Sequence, residues 1–141
     1  MDAMSSVPAS VPYPSAAEIC RWTLATFGEL RGLRAGLREA VAAVFGPDRG
    51  DISDRMTVVA TELATNALRH GLPPTVVRLL RERDRLIIDV SDHDRDAEPR
   101  VEADRPLGKG GLGLQLTYKF ATDVGWYSTD VTKHVWASFP S

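Results

Sequence analysis

Apolar residues recur along this chain with two different periods, and the changes of period mark its elements. Leu30, Leu33, Leu37, Val41, Val44 and Phe45 fall at helical spacing, which predicts a helix that Gly46-Pro47 ends. Ahead of it, residues 19–27 (Ile19 to Phe27) read as a first strand. Gly50 to Ser53 reads as a loop in which Asp51 or Ser53 caps a second helix. That helix runs to His70, with Met56, Val59, Ala60, Leu63, Ala64, Ala67 and Leu68 on one broad apolar face. Gly71 ends it in the left-handed cap position, and a turn follows to Pro74. Thr75 to Arg81 and Arg85 to Ser91 read as strands, joined by the short polar hairpin Glu82-Arg83-Asp84. Residues 92–111 carry charges, Pro99, Pro106 and three glycines without any period. A stretch of that kind inside a compact domain points to a functional lid. A short helix starts near Leu112, with Leu112, Leu116 and Phe120 on one side. Val124 to Ser128 and Val131 to Phe139 form a final hairpin. Hairpins interspersed with helices predict an α+β sandwich, a sheet with helices on one face.

Length and charge narrow the classes. A chain of 141 residues forms one domain and buries a real core. Met1 to Ser15, with several prolines and serines and no apolar signal core, reads as a disordered leader before a single domain at 16–141. A formal net charge of −2 leaves no basic footprint for nucleic acid. No apolar run is long enough to span a bilayer. Cys20 is the only cysteine, which excludes an internal disulfide and a cysteine metal cluster. The expectation is a soluble, cytoplasmic protein.

The candidate chemistry starts on the second helix. Glu62 and Asn66 are four residues apart and stand one above the other, and His70 continues their line. A carboxylate over a carboxamide beside an apolar face packs poorly but suits a metal-bound phosphate next to a base. Asp92 follows the strand that ends at Ser91. A carboxylate only accepts hydrogen bonds, so at a pocket rim it takes adenine's amine and repels guanine's carbonyl. Taken alone, it reads first as a solvated turn aspartate. Gly108-Lys109-Gly110-Gly111-Leu112-Gly113 opens the helix after the lid. Glycines let backbone approach phosphate oxygens, and a helix start offers free N–H groups, although a glycine cluster alone is also a plain linker. No Lys-Ser or Lys-Thr pair closes it as a P-loop would. His93 and His134 have no partner that spacing identifies, and nothing in the spacing supports a three-histidine metal site.

The order of these signals resembles the Bergerat (GHKL) ATP-binding fold shared by gyrase and histidine-kinase catalytic domains. Within it, residues 19–139 look most like the stand-alone anti-sigma-factor serine kinases of actinobacterial type. The resemblance rests on Glu62-Leu63-Ala64-Thr65-Asn66-Ala67-Leu68-Arg69-His70-Gly71, on Gly111-Leu112-Gly113-Leu114 and on Lys133-His134-Val135-Trp136-Ala137-Ser138-Phe139, with Trp126 at a place the family often fills with tryptophan. It implies a histidine-kinase-like ATPase domain with a mixed, mostly antiparallel sheet. It implies ATP and Mg²⁺ as cofactors. Asn66 would bind the metal, Glu62 would be the general base of a serine/threonine protein kinase, and Asp92 would read adenine. Gly108, Gly110, Gly111, Leu112 and Gly113 would cradle the phosphates, with Lys109 beside them. Arg69 and His70 would support the helix end or the lid. The implied partners are a sigma factor, an anti-sigma-factor antagonist of the STAS-domain type and a second copy in a homodimer, with no nucleic acid and no membrane. The sequence departs from the superfamily at Asp94 and Asp96, where glycines are usual, and at His134, where a threonine is frequent. A non-catalytic regulator with a degenerate nucleotide site is the alternative that these departures favour.

Overall fold

The computed structural model describes residues 4–6, 9–10, 16–94, 100–102 and 112–140. Five strands form one sheet in the order β2 (Ala17–Leu24), β3 (Thr75–Glu82), β4 (Arg85–Asp92), β7 (Lys133–Pro140) and β6 (Asp123–Ser128). Every ladder in it is antiparallel, and Ala9 adds an isolated parallel bridge to Trp126 on the edge strand β6. Helices α1 (Leu30–Phe45), α2 (Gly50–His70) and α3 (Leu112–Phe120) complete an α+β sandwich.

The alternation of side chains along the strands decides which face is covered. Val77, Leu79, Leu86, Ile88, Val90, Ala137 and Phe139 meet Leu33, Leu37 and Val41 of α1 and Met56, Val59, Ala60 and Leu63 of α2 in one apolar core. Each buried Val, Leu, Ile, Met or Phe among these contributes about 1.5–3 kcal/mol relative to exposure. Gly36 lets α1 lie close on β2, because a Cβ there would press into the Trp22 indole. Within α2, the hydroxyls of Thr57, Thr61 and Thr65 donate to the carbonyls four residues back, at 2.6, 2.7 and 2.7 Å. Those bonds satisfy three polar groups inside a packed helix.

The helix expected at Leu30–Phe45 has those bounds, and the strand and hairpin assignments hold to within a few residues. Three expectations change. Neither Asp51 nor Ser53 caps α2: a 3₁₀ turn over Pro47–Arg49 runs straight into a helix that already begins at Gly50. Asp51 instead stands in the first turn, where its charge complements the helix dipole, and Ser53 is buried. Gly71 is extended, at φ −91° and ψ −176°, not left-handed. The leader expected to lack structure contributes strand β1 (Met4–Ser6), which pairs with β5 (Arg100–Glu102) inside the segment expected to be irregular. Further along, the Ser10 amide donates to the Trp126 carbonyl at 2.9 Å, and the Trp136 indole donates to the Ser10 carbonyl at 2.8 Å. Gly125 makes room for this crossing, since a Cβ there would collide with the Ser10 hydroxyl and the Trp136 ring. Backbone groups make most of these contacts, so the side-chain pattern carried no sign of them.

Candidate functional site

The site collects where α2 stops and β4 ends. Glu62 and Asn66 lie on the flank of α2, half-buried beside its core face. Four residues separate them by about 6 Å along the axis. His70 and Arg69, in the last turn, are exposed. Asp92 is the last residue of β4 and is buried.

Two backbone bonds fix the strand end against the helix. The Gly71 amide donates to the Ala67 carbonyl at 2.8 Å, and the His93 amide donates to the Leu72 carbonyl at 2.8 Å. Gly71 is needed for space, not for its backbone angles: a Cβ would collide with the Asp92 carboxylate and the Ala67 carbonyl. Asp92 itself accepts a hydrogen bond from the Asp94 amide at its Oδ1, 2.7 Å away. Its Oδ2 lies 3.6 Å from the ammonium of Lys133, which is also buried. The ladder pairs Asp92 with Lys133 and Ser91 with His134. The residue facing Asp92 across β7 is therefore Lys133, and His134 points to the opposite face. The sequence did hold a signal for Lys133. It opens a strand in which Val135, Ala137 and Phe139 share one face, so its charge breaks an otherwise apolar row.

On that opposite face a second polar cluster forms. Asp89 is fully buried. Its Oδ1 accepts from His134 Nδ1 at 2.8 Å, and its Oδ2 accepts from the Tyr127 hydroxyl at 3.1 Å. Arg78 Nη2 stands 3.5 Å from the same Oδ2, and Arg78 Nη1 is 3.6 Å from Glu18. Because the carboxylate only accepts, His134 carries its proton on Nδ1 toward Asp89. Its Nε2 lies within hydrogen-bond distance of the Thr132 hydroxyl, at 2.8 Å. The Tyr127 and His134 rings stack at 4.4 Å. Burial, then the Asp89 charge and hydrogen bond, push the Tyr127 phenol well above its ordinary value. The Arg21 guanidinium beside Glu18 holds that carboxyl below the usual range.

Asn66 and Glu62 thus stand about one and two turns before the end of α2, where Gly71 meets Asp92. Leu112 and Gly113 are the first two residues of α3, which packs on α2. Gly108, Lys109, Gly110 and Gly111, like Asp96, lie outside the described residues. The residues in place fit a purine nucleotide. A buried carboxylate with acceptor capacity to spare sits in a notch that a Cβ would fill, and the carboxamide and second carboxylate stand on the adjoining helix. Among the described residues, no group of histidine, cysteine, aspartate and glutamate is placed to hold a metal by itself. No helix among them is long and apolar enough to cross a membrane.

Comparison with known proteins follows the same lines. The family model of the histidine kinase-like ATPase domain matches residues 23–139. No curated protein matches the chain. Among solved structures, one match is the crystal structure of the RsbU and RsbW domains of Rv1364c from Mycobacterium tuberculosis, with a TM-score of 0.61 at 16% identity. It covers 86% of this chain and 32% of that one, so this chain spans about a third of the length of the protein it matches. At that identity the likeness is one of fold.

Proposed function

We propose a function for this chain from one premise: it belongs to the histidine kinase-like ATPase domain family. It is an ATP-binding anti-sigma factor of the serine/threonine kinase type, acting in the cytoplasm. It phosphorylates a STAS-domain antagonist and binds a sigma factor, as a homodimer. The observation that carries this reading is the stacking of Glu62 over Asn66 on α2, directly before the notch that holds Asp92. The domain arrangement of Rv1364c, which includes an RsbW domain, supports it by analogy of fold.

Each residue has a task in this scheme. Asp92 accepts the adenine amine. Asn66 offers its side-chain oxygen to Mg²⁺, and Leu112 and Gly113 offer amides at the start of α3, continuing the run from Gly108, Lys109, Gly110 and Gly111. Bound Mg²⁺·ATP supplies the phosphoryl group and the charge that screens it. Glu62 takes the proton of the attacking serine or threonine hydroxyl. Catalysis of this type is mainly positioning and charge stabilisation.

Calorimetry of ATP binding, with and without Mg²⁺, tests the site. Wild type should bind in a metal-dependent manner, and Asn66→Ala should lose that binding because the metal loses its protein ligand. Glu62→Gln should keep ATP affinity and lose phosphoryl transfer to the antagonist by about 10²-fold or more. Transfer at the wild-type rate would assign the base elsewhere. A non-catalytic regulator is the second reading, favoured by Asp94, whose amide bonds Asp92 and whose carboxylate stands where the superfamily usually has glycine. Absence of ATP binding at millimolar nucleotide with Mg²⁺ would establish that reading instead.

A further inference from the structure

Lys133 is the buried charge that the proposed nucleotide site leaves without a task. It opens β7 directly across the ladder from Asp92, and it is 8% exposed. Its ammonium lies 3.6 Å from Asp92 Oδ2, on the helix-covered face where α2 stops. Burying an ammonium is unfavourable unless it is well paired. Asp92 does not need it for orientation, because the Asp94 amide and the Gly71 notch already place that carboxylate.

We propose that Lys133 is a second base-reading residue, whose ammonium donates to a ring nitrogen of adenine beside the amine that Asp92 accepts. The proposal rests on the nucleotide-binding reading above. Adenine's amine is a donor flanked on both sides by acceptor ring nitrogens, N1 and N7. A side chain that only accepts, set next to one that only donates, matches that edge. The arithmetic of donors and acceptors allows both contacts at once. The carboxylate has about four lone-pair sites, and the Asp94 amide and Lys133 occupy two. The ammonium has three N–H groups, and one directed at Asp92 leaves two for the base. Binding therefore adds to the Asp92–Lys133 pair and does not break it. His134, one residue further, is turned to the other face by the strand alternation and takes no part.

Binding of ATP, 1-deaza-ATP and 7-deaza-ATP to the full chain, measured by calorimetry with Mg²⁺, tests this. Wild type should bind one of the two analogues roughly tenfold more weakly than ATP, the loss expected for one charge-assisted bond. Lys133→Met should bind that analogue and ATP alike. Lys133→Arg keeps a donor and should keep the discrimination. Equal affinity of wild type for all three nucleotides would overturn the role of Lys133 while leaving the ATP site standing. Discrimination that persists undiminished in Lys133→Met would also overturn it, since another group would then read the nitrogen. If wild type binds no nucleotide, the underlying reading falls, and this one with it. The wild-type comparison needs no variant, so a Lys133→Met chain that fails to fold does not remove the test.

Discussion

Two aspartates three residues apart on β4 occupy opposite faces of the sheet, and both are buried. Asp89 has each oxygen engaged, by His134 on one side and by Tyr127 and Arg78 on the other. Among the described residues, Asp92 meets one amide and one distant ammonium, and it sits in a notch beside a helix end. Burial is therefore common to both and distinguishes nothing. The difference lies in the acceptor capacity that remains. A carboxylate enclosed in the sheet and engaged at both oxygens by its own chain is a structural element, because an outside donor has no path to it. A carboxylate held in place but incompletely engaged is ready to meet an outside donor.

The largest expected effect tests the saturated side. Asp89→Ala leaves the His134 N–H and the Tyr127 hydroxyl without their buried acceptor, and losing it should cost about 3 kcal/mol in all. Urea denaturation should show that loss, while ATP affinity, measured under conditions where the variant is folded, stays at the wild-type level. A parallel fall in affinity would mean that the two faces share one function. Asp92→Asn probes the incompletely engaged side. Its amide presents a donor where the adenine amine needs an acceptor, so ATP affinity should fall roughly tenfold. Its stability loss should be smaller than that of Asp89→Ala. Unchanged affinity would place the base elsewhere.

The smallest effect sharpens the picture of the saturated cluster. Tyr127→Phe removes one bond to Asp89 and should cost about 1 kcal/mol. Tyr127 also gives that cluster a pH signature. Its phenol is raised above the ordinary value of 10.0 in the folded chain. The folded state thus holds this proton more tightly than the unfolded state. Its contribution to stability is complete below that value and is lost as pH rises through the folded pKa. Denaturation midpoints measured on the alkaline limb should decline less steeply in Tyr127→Phe than in wild type. Equal slopes would show that the phenol titrates alike in both states.

The elements were legible because local patterns specify them. The stripe Leu33, Leu37, Val41 makes α1 helical whatever it packs against, and alternation in Leu86, Ile88 and Val90 makes β4 a strand. The stacking of Glu62 over Asn66 was equally legible, since helical spacing alone sets it. Pairings between distant segments were not. Arg78, Asp89, Tyr127 and His134 lie on four different strands, and nothing near His134 in the chain identifies Asp89 as its partner. β1 and β5 meet through backbone groups that any residue supplies, so three-residue segments left no trace in the pattern.

Residue order alone sets the helices, the strands, the hairpins and the carboxylate over a carboxamide on one helix, because those depend on periods of two and 3.6 residues within short windows. Which partners Asp89 and Asp92 meet on their two faces of the sheet follows only once the strands pair. Register is the physical reason. Pairing Asp92 with Lys133 and Ser91 with His134 sends each neighbour to opposite sides, and a slip of one residue would exchange them.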